Sequence, residues 1–407
     1  MTRSRRFATL AMLTLSPVSL SAAAVPVSGT EIEVSEAGSA PSVAMLPSGE
    51  FAVAWVVRAA YARVYSARGE ARGPAFLLSE DATQFAAGVQ LAGSSRGGFV
   101  ATWAGNIDEG QGSARVRILA RQFDRFGALL GPPFAVSSAT EWPPGAQEFA
   151  PTVGMDDEGR FVVAWEPDRS TIVARLFDRN AMAQGPNFQV HADGDARGAH
   201  IAMQPKGTFL VCWSTNLGGQ LVAGARARLF DRDAAPLSSD LTLNTAAGQQ
   251  GCTDATADRR GGYKVVWAGR MGAERGFFAR GIDARGRSVG EPVRLVPFEP
   301  VPAPPVYFFA GGALAATSAG RLLFVWAGLD LLDSADSTWG VRARAFSDAL
   351  WPRSPPFEVN QPVAFGLFQP SVSCNPSAMC VVAWQWEWDP NQDEHPKVLA
   401  RRIQLRG

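Results

Sequence analysis

Side chains able to do chemistry are sparse in this 407-residue chain and fall in a few places. The three histidines, His191, His200 and His395, belong to no HExxH zinc-protease pattern, and the two G-x-S-x-G strings, Gly93 to Gly97 and Gly286 to Gly290, are not followed by the helical pattern a nucleophile elbow requires. Carboxylates gather in two segments: 328–336 carries Asp330, Asp333 and Asp336, and 385–395 carries Asp389, Asp393 and Glu394. Such oxygen-rich loops are where Ca2+ would be held, but neither has EF-hand spacing. Solvated acidic loops account for them, and no cofactor is expected. Trp386 and Trp388 stand beside Asp389, and Trp142 lies in Glu141-Trp-Pro-Pro-Gly145. An indole beside hydrogen-bond acceptors offers a sugar ring an apolar platform with polar partners at its edge. The plainer alternative is that these Trp cover the ends of the elements they follow.

The elements that must position these groups come from a repeat. A short apolar segment ending in Trp occurs seven times: Phe51 to Trp55, Phe99 to Trp103, Phe161 to Trp165, Phe209 to Trp213, Tyr263 to Trp267, Leu322 to Trp326 and Cys380 to Trp384. Successive Trp are 48, 62, 48, 54, 59 and 58 residues apart, which fits a four-stranded propeller blade. Each copy has four pieces rich in Val, Phe and Trp, separated by Gly, Pro, Asp or Ser. First comes a short strand such as Pro151-Thr-Val-Gly154, second the Trp strand, third a strand bearing a recurrent Arg, and fourth an F-x-V strand such as Phe188-Gln-Val190. The recurrent Arg are Arg63, Arg121, Arg175, Arg228, Arg280, Arg344 and Arg401, expected to be hydrogen-bonders within or between blades. The seven Trp are expected to anchor blade packing.

The last copy stops at Ile403 to Gly407 without a fourth strand, while Thr30 to Ser35 reads as a fourth strand with no blade before it. Joining them closes a ring and protects sheet edges. The expected fold is all-β, a seven-bladed β-propeller of four-stranded blades whose N-terminal strand completes the last blade. The order F-x-V, P-S-V, G-x-F-V-V-A-W, A-R-x-F-D resembles the Trp-anchored repeats of large secreted bacterial proteins. There the third motif commonly reads A-Q-R-F-D, whereas this chain has Ala120-Arg-Gln-Phe-Asp124 and Ala174-Arg-Leu-Phe-Asp178. The resemblance implies the fold and secretion.

Arg3, Arg5 and Arg6 precede an apolar run from Phe7 to Leu20 and the small residues Ser21 to Ala24. This is the pattern of a secretory signal peptide over residues 1–24, leaving 25–407 as one propeller domain. No later stretch is apolar enough to span a bilayer, so periplasmic or extracellular localisation is expected. The formal charge of zero, from 38 basic and 38 acidic residues, becomes −3 without the leader, and no basic run tracks a phosphate backbone. Nucleic acid is excluded as a partner, and a monomer is expected. Four Cys suit an oxidising setting. Cys374 and Cys380 flank a turn and are expected to staple a hairpin. Cys212 and Cys252 are expected to join blades four and five across their seam.

Turns between first and second strands are short and alike, whereas loops after the second strand and between blades vary, so one face is uniform and the other individual. Trp142, Trp386, Trp388 and Asp389 belong to the individual face. With hydrolase motifs absent and first strands mostly small and apolar, the expected function is non-enzymatic: binding or scaffolding, with a glycan or protein recognised by the variable loops. The alternative is a propeller hydrolase of glycosidase or lactonase type with an axial site.

Overall fold

The computed structural model describes residues 29–108, 114–137, 147–168, 170–192, 194–217, 220–244, 251–298, 311–330, 338–360, 369–386 and 396–405. The Trp-ending segments form the second strand of each blade. Their unbroken apolar runs suit a strand packed on both faces, and all six residues of Phe161–Glu166 are buried. Each segment pairs antiparallel with an innermost strand on one side and the Arg-bearing strand on the other, giving seven four-stranded sheets and, among the described residues, no helix. Neighbouring innermost strands pack against one another all the way round, blade seven against blade one included.

Seven apolar clusters lie one at each seam rather than at a single centre; one of them joins Ala52 and Leu46 of blade one to Phe99 and Trp103 of blade two. All seven anchor Trp are buried, from Trp165 at 0% exposed to Trp326 at 7%.

The recurrent Arg clamps the frame. Nε of Arg63, Arg121, Arg175, Arg228, Arg280 and Arg344 donates to a carbonyl ten residues on, within the same blade, at 2.8 to 3.1 Å. Nη1 of Arg175, Arg228 and Arg344 reaches back to Val136, Val190 and Leu295 of the preceding blade. Asp124, Asp178, Asp231 and Asp283 each accept two backbone N–H bonds inside their own hairpin turn, which makes them turn caps.

Ring closure follows the complementary ends: Ile32–Ser35 adds to Lys397–Gln404, with Ile32 opposite Ala400 and Glu33 opposite Leu399. Both expected disulfides are formed, Cys374–Cys380 across the innermost hairpin of blade seven and Cys212–Cys252 across the seam of blades four and five. No helix is long and apolar enough to cross a membrane among the described residues.

Candidate functional site

The register of the seven innermost strands creates one ring of equivalent positions around the axis. Opposite the residue that precedes each anchor Trp stand Ser42, Gln90, Thr152, His200, Asp254, Ala313 and Ser371. In blades one to four a bulge lies just ahead of this position, with a left-handed residue two places before it: Ala40, Gly88, Ala150 and Gly198, at φ between 47° and 63°. Bulges re-aim the side chains that follow them. The amides of Ala40 and Gly198 are held by Gln385 Oε1 and Glu166 Oε1 of the blade before.

Part of the ring is engaged in holding blades together. Ser42 Oγ accepts from the Leu91 amide at 3.0 Å, and Ser371 and Ser373 accept from Val43 and Met45 at 3.1 and 3.0 Å. Asp254 Oδ2 accepts from Leu314 at 2.7 Å, while Thr256 accepts from Ala316 at 3.2 Å. Gln90, Thr152 and His200 make no such bond among the described residues, although the same pattern would direct each towards the next blade. The result is an arc on four consecutive blades, Gln90–Thr152–His200–Asp254, whose first three members make no stitch to the next blade among the described residues.

His200 Nδ1 lies 3.9 Å from Asp254 Oδ1, with the two side chains 36% and 24% exposed. Burial among the innermost strands lowers the His200 pKa from 6.5 to about 4. Burial likewise raises that of Asp254 from 3.8 to about 7, against the opposing pull of the Leu314 and Ala255 amides. Near neutrality the pair therefore holds an unprotonated imidazole beside a carboxyl that still retains much of its proton. Environments that push two groups apart in this way separate a base from an acid.

Of the residues expected to carry function, Trp386 and Asp330 lie among the described ones. Trp386 ends the second strand of blade seven, packs against the core between blades six and seven, and has Lys397 Nζ 5.7 Å from its ring centroid. It is half-buried, with a cation over its ring. Trp142, Trp388, Asp389, Asp333 and Asp336 lie outside the described residues, and Asp330 closes a strand opposite Thr338. No group of three His, Cys, Asp or Glu is placed to hold a metal among the described residues.

His200 and Asp254 did not stand out in the sequence because the innermost strands look small and apolar around them. A signal was nonetheless available, since every ring residue lies 13 positions before an anchor Trp, as 42 to 55, 200 to 213 and 254 to 267 show. Aligning the copies on Trp isolates one polar position in six of seven strands.

No protein-family model and no curated protein matches the chain in sequence. Among solved structures, the polysaccharide lyase Uly1 matches with a TM-score of 0.55 at 10% identity, over 94% of this chain and 100% of that one. A PL25 ulvan lyase bound to -[GlcA(1-4)Rha3S]- matches at 0.54 and 12% identity, over 92% and 94%. A protein of unknown function from Dyadobacter fermentans matches at 0.52 and 10% identity, over 92% and 99%. At these identities the likeness establishes the propeller. It also corrects the expectation of a non-enzymatic binding or scaffold protein: two of these three propellers are lyases. The poverty of motifs behind that expectation carries no weight in such a fold. A site assembled from innermost strands about 50 residues apart leaves no contiguous signature.

Proposed function

We propose that this protein is a carbohydrate-active propeller enzyme that cleaves a uronate-containing polysaccharide by elimination in its axial channel. The observation that carries the reading is the unstitched polar arc ending in the His200–Asp254 pair. Two carboxylates that invert a glycoside stand about 6.5–9.5 Å apart to admit water between them and the sugar. His200 and Asp254, at 3.9 Å, suit two adjacent atoms of one sugar instead. His200 takes the proton at C5, acidified by the neighbouring uronate carboxylate. The C5–H electron pair forms the C4–C5 double bond, the C4–O4 bond breaks, and Asp254 gives its proton to O4. Gln90 and Thr152 hydrogen-bond the ring being cleaved. The lyases of like fold support this reading, as does the polysaccharide in one of them.

The test is incubation of purified protein with uronate polysaccharides. Ultraviolet absorbance of the new double bond reports elimination, and reducing ends without that absorbance report hydrolysis. His200→Gln and Asp254→Asn are expected to lower kcat by about 10²–10⁴-fold, the usual share of a positioned acid or base. Wild-type turnover by His200→Gln would overturn the assignment.

We also propose that the protein works outside the cytoplasm after loss of residues 1–24. Two disulfides and the absence of a membrane-crossing helix among the described residues support this. N-terminal sequencing of the mature chain tests it, with a start near Val25 expected and an intact Met1 contradicting it.

A further inference from the structure

The Cys212–Cys252 bond lies at the seam that carries the His200–Asp254 pair. Cys212 is the cross-strand partner of His200, so both side chains leave the sheet on the face towards blade five. Cys252 stands two residues before Asp254 on the innermost strand of that blade, where the register shifts. Both sulfurs sit on buried residues.

Among the described residues, this seam lacks two contacts that others have, as do the seams of blades two and three and of blades six and seven, and of these three it alone carries a disulfide. Ring residues of blades one, five and seven each accept an amide of the next blade. The amide that His200 would reach, that of Ala255, donates instead to Asp254 Oδ1 in its own strand at 2.8 Å. Blades one to four also carry a left-handed residue two places before the ring, and in blades one and four its amide is gripped by the preceding blade. In blade five that position is Cys252, which is not left-handed. A covalent bond thus stands where the amide stitch and the bulge grip are missing.

Resting on the catalytic reading above, we propose that Cys212–Cys252 is a positioning device: it holds the blade four–five seam shut so that His200 can be spared from stitching and kept against Asp254 for proton transfer.

Cys212→Val with Cys252→Ala installs residues found at the equivalent places in other blades, Val325 and Ala40 among them. With only three histidines in the chain, the imidazole of His200 can be followed by NMR. As the seam admits water, its titration midpoint is expected to rise by about one pH unit or more towards its ordinary value. Cys374→Ser with Cys380→Ser should leave it in place. His200→Ser, which supplies the ring residue of blades one and seven, should shrink the loss of thermal stability caused by breaking Cys212–Cys252.

An unmoved His200 titration together with additive stability losses would show a plain staple and overturn the proposal. So would failure of the Cys variant to fold both with His200 and with His200→Ser, whereas folding only in combination with His200→Ser supports it. Neither readout uses activity. Full cleavage by His200→Gln would sink the catalytic reading while leaving these two results to stand or fall by themselves.

Discussion

Unfolding at pH 5 should move one proton from Asp254 to His200, and single substitutions should expose the two halves of that exchange. In the folded protein His200 is neutral above about pH 4 and ordinarily becomes neutral only above 6.5. Its stabilising contribution is therefore complete above 6.5 and lost as pH falls to 4. Asp254 keeps its proton to about pH 7 against an ordinary 3.8, so its contribution is complete below 3.8 and lost as pH rises to 7. Between pH 4 and 6.5 the slopes oppose, and the native pair adds little net pH dependence.

Asp254→Asn leaves the histidine half. Stability should then rise with pH, by at most about 3 kcal/mol over the window at 1.36 kcal/mol per pH unit. His200 is 36% exposed, and screening by channel water reduces this to about 1.5 kcal/mol. His200→Gln leaves the aspartate half, so stability should fall as pH rises from 4 to 7, by about 2 kcal/mol after the same discount. Urea unfolding at half-unit steps from pH 4 to 7 measures both. Parallel pH profiles for the two variants would refute the reasoning, because they would mean that neither group is desolvated in the channel.

Trp165→Ala should cost about 3–5 kcal/mol by urea denaturation, since the indole is fully buried at the seam of blades two and three. Arg228→Met should cost about 2–3 kcal/mol by the same assay, having removed charge-assisted bonds to Ser238 O and Val190 O. Ser371→Ala removes the acceptor of the Val43 amide, and faster hydrogen exchange at Val43 should accompany a loss of about 1 kcal/mol. Gln90→Ala should raise KM more than it lowers kcat in the elimination assay, as expected of a group that binds the sugar without moving a proton.

The architecture was legible because its determinants are local and repeated. A Trp at the end of an apolar run recurs in all seven units, an Arg two places ahead of an aromatic in five and a turn Asp in four, so the sequence displays the same solution several times over. Even ring closure could be read from two incomplete ends, and both disulfides from their places in the repeat. The site was not legible in the same way. Trp386 and its acidic neighbours stand out by residue type, but residue type tells nothing about which groups reach the axis.

Taken alone, the sequence determined the number of blades, their strand order and the register that puts Ser42, Gln90, Thr152, His200, Asp254, Ala313 and Ser371 at one level. These follow from hydrogen bonds and packing within a single repeat. What only tertiary structure decided is which of those residues are engaged. Ser42 and Ser371 meet an amide of the next blade and Asp254 meets two amides, whereas His200 meets none because Asp254 has already taken the amide it would reach. That outcome depends on a neighbour about 50 residues away and on the packing of the two innermost strands against each other, and neither is present in the repeat that encodes the histidine.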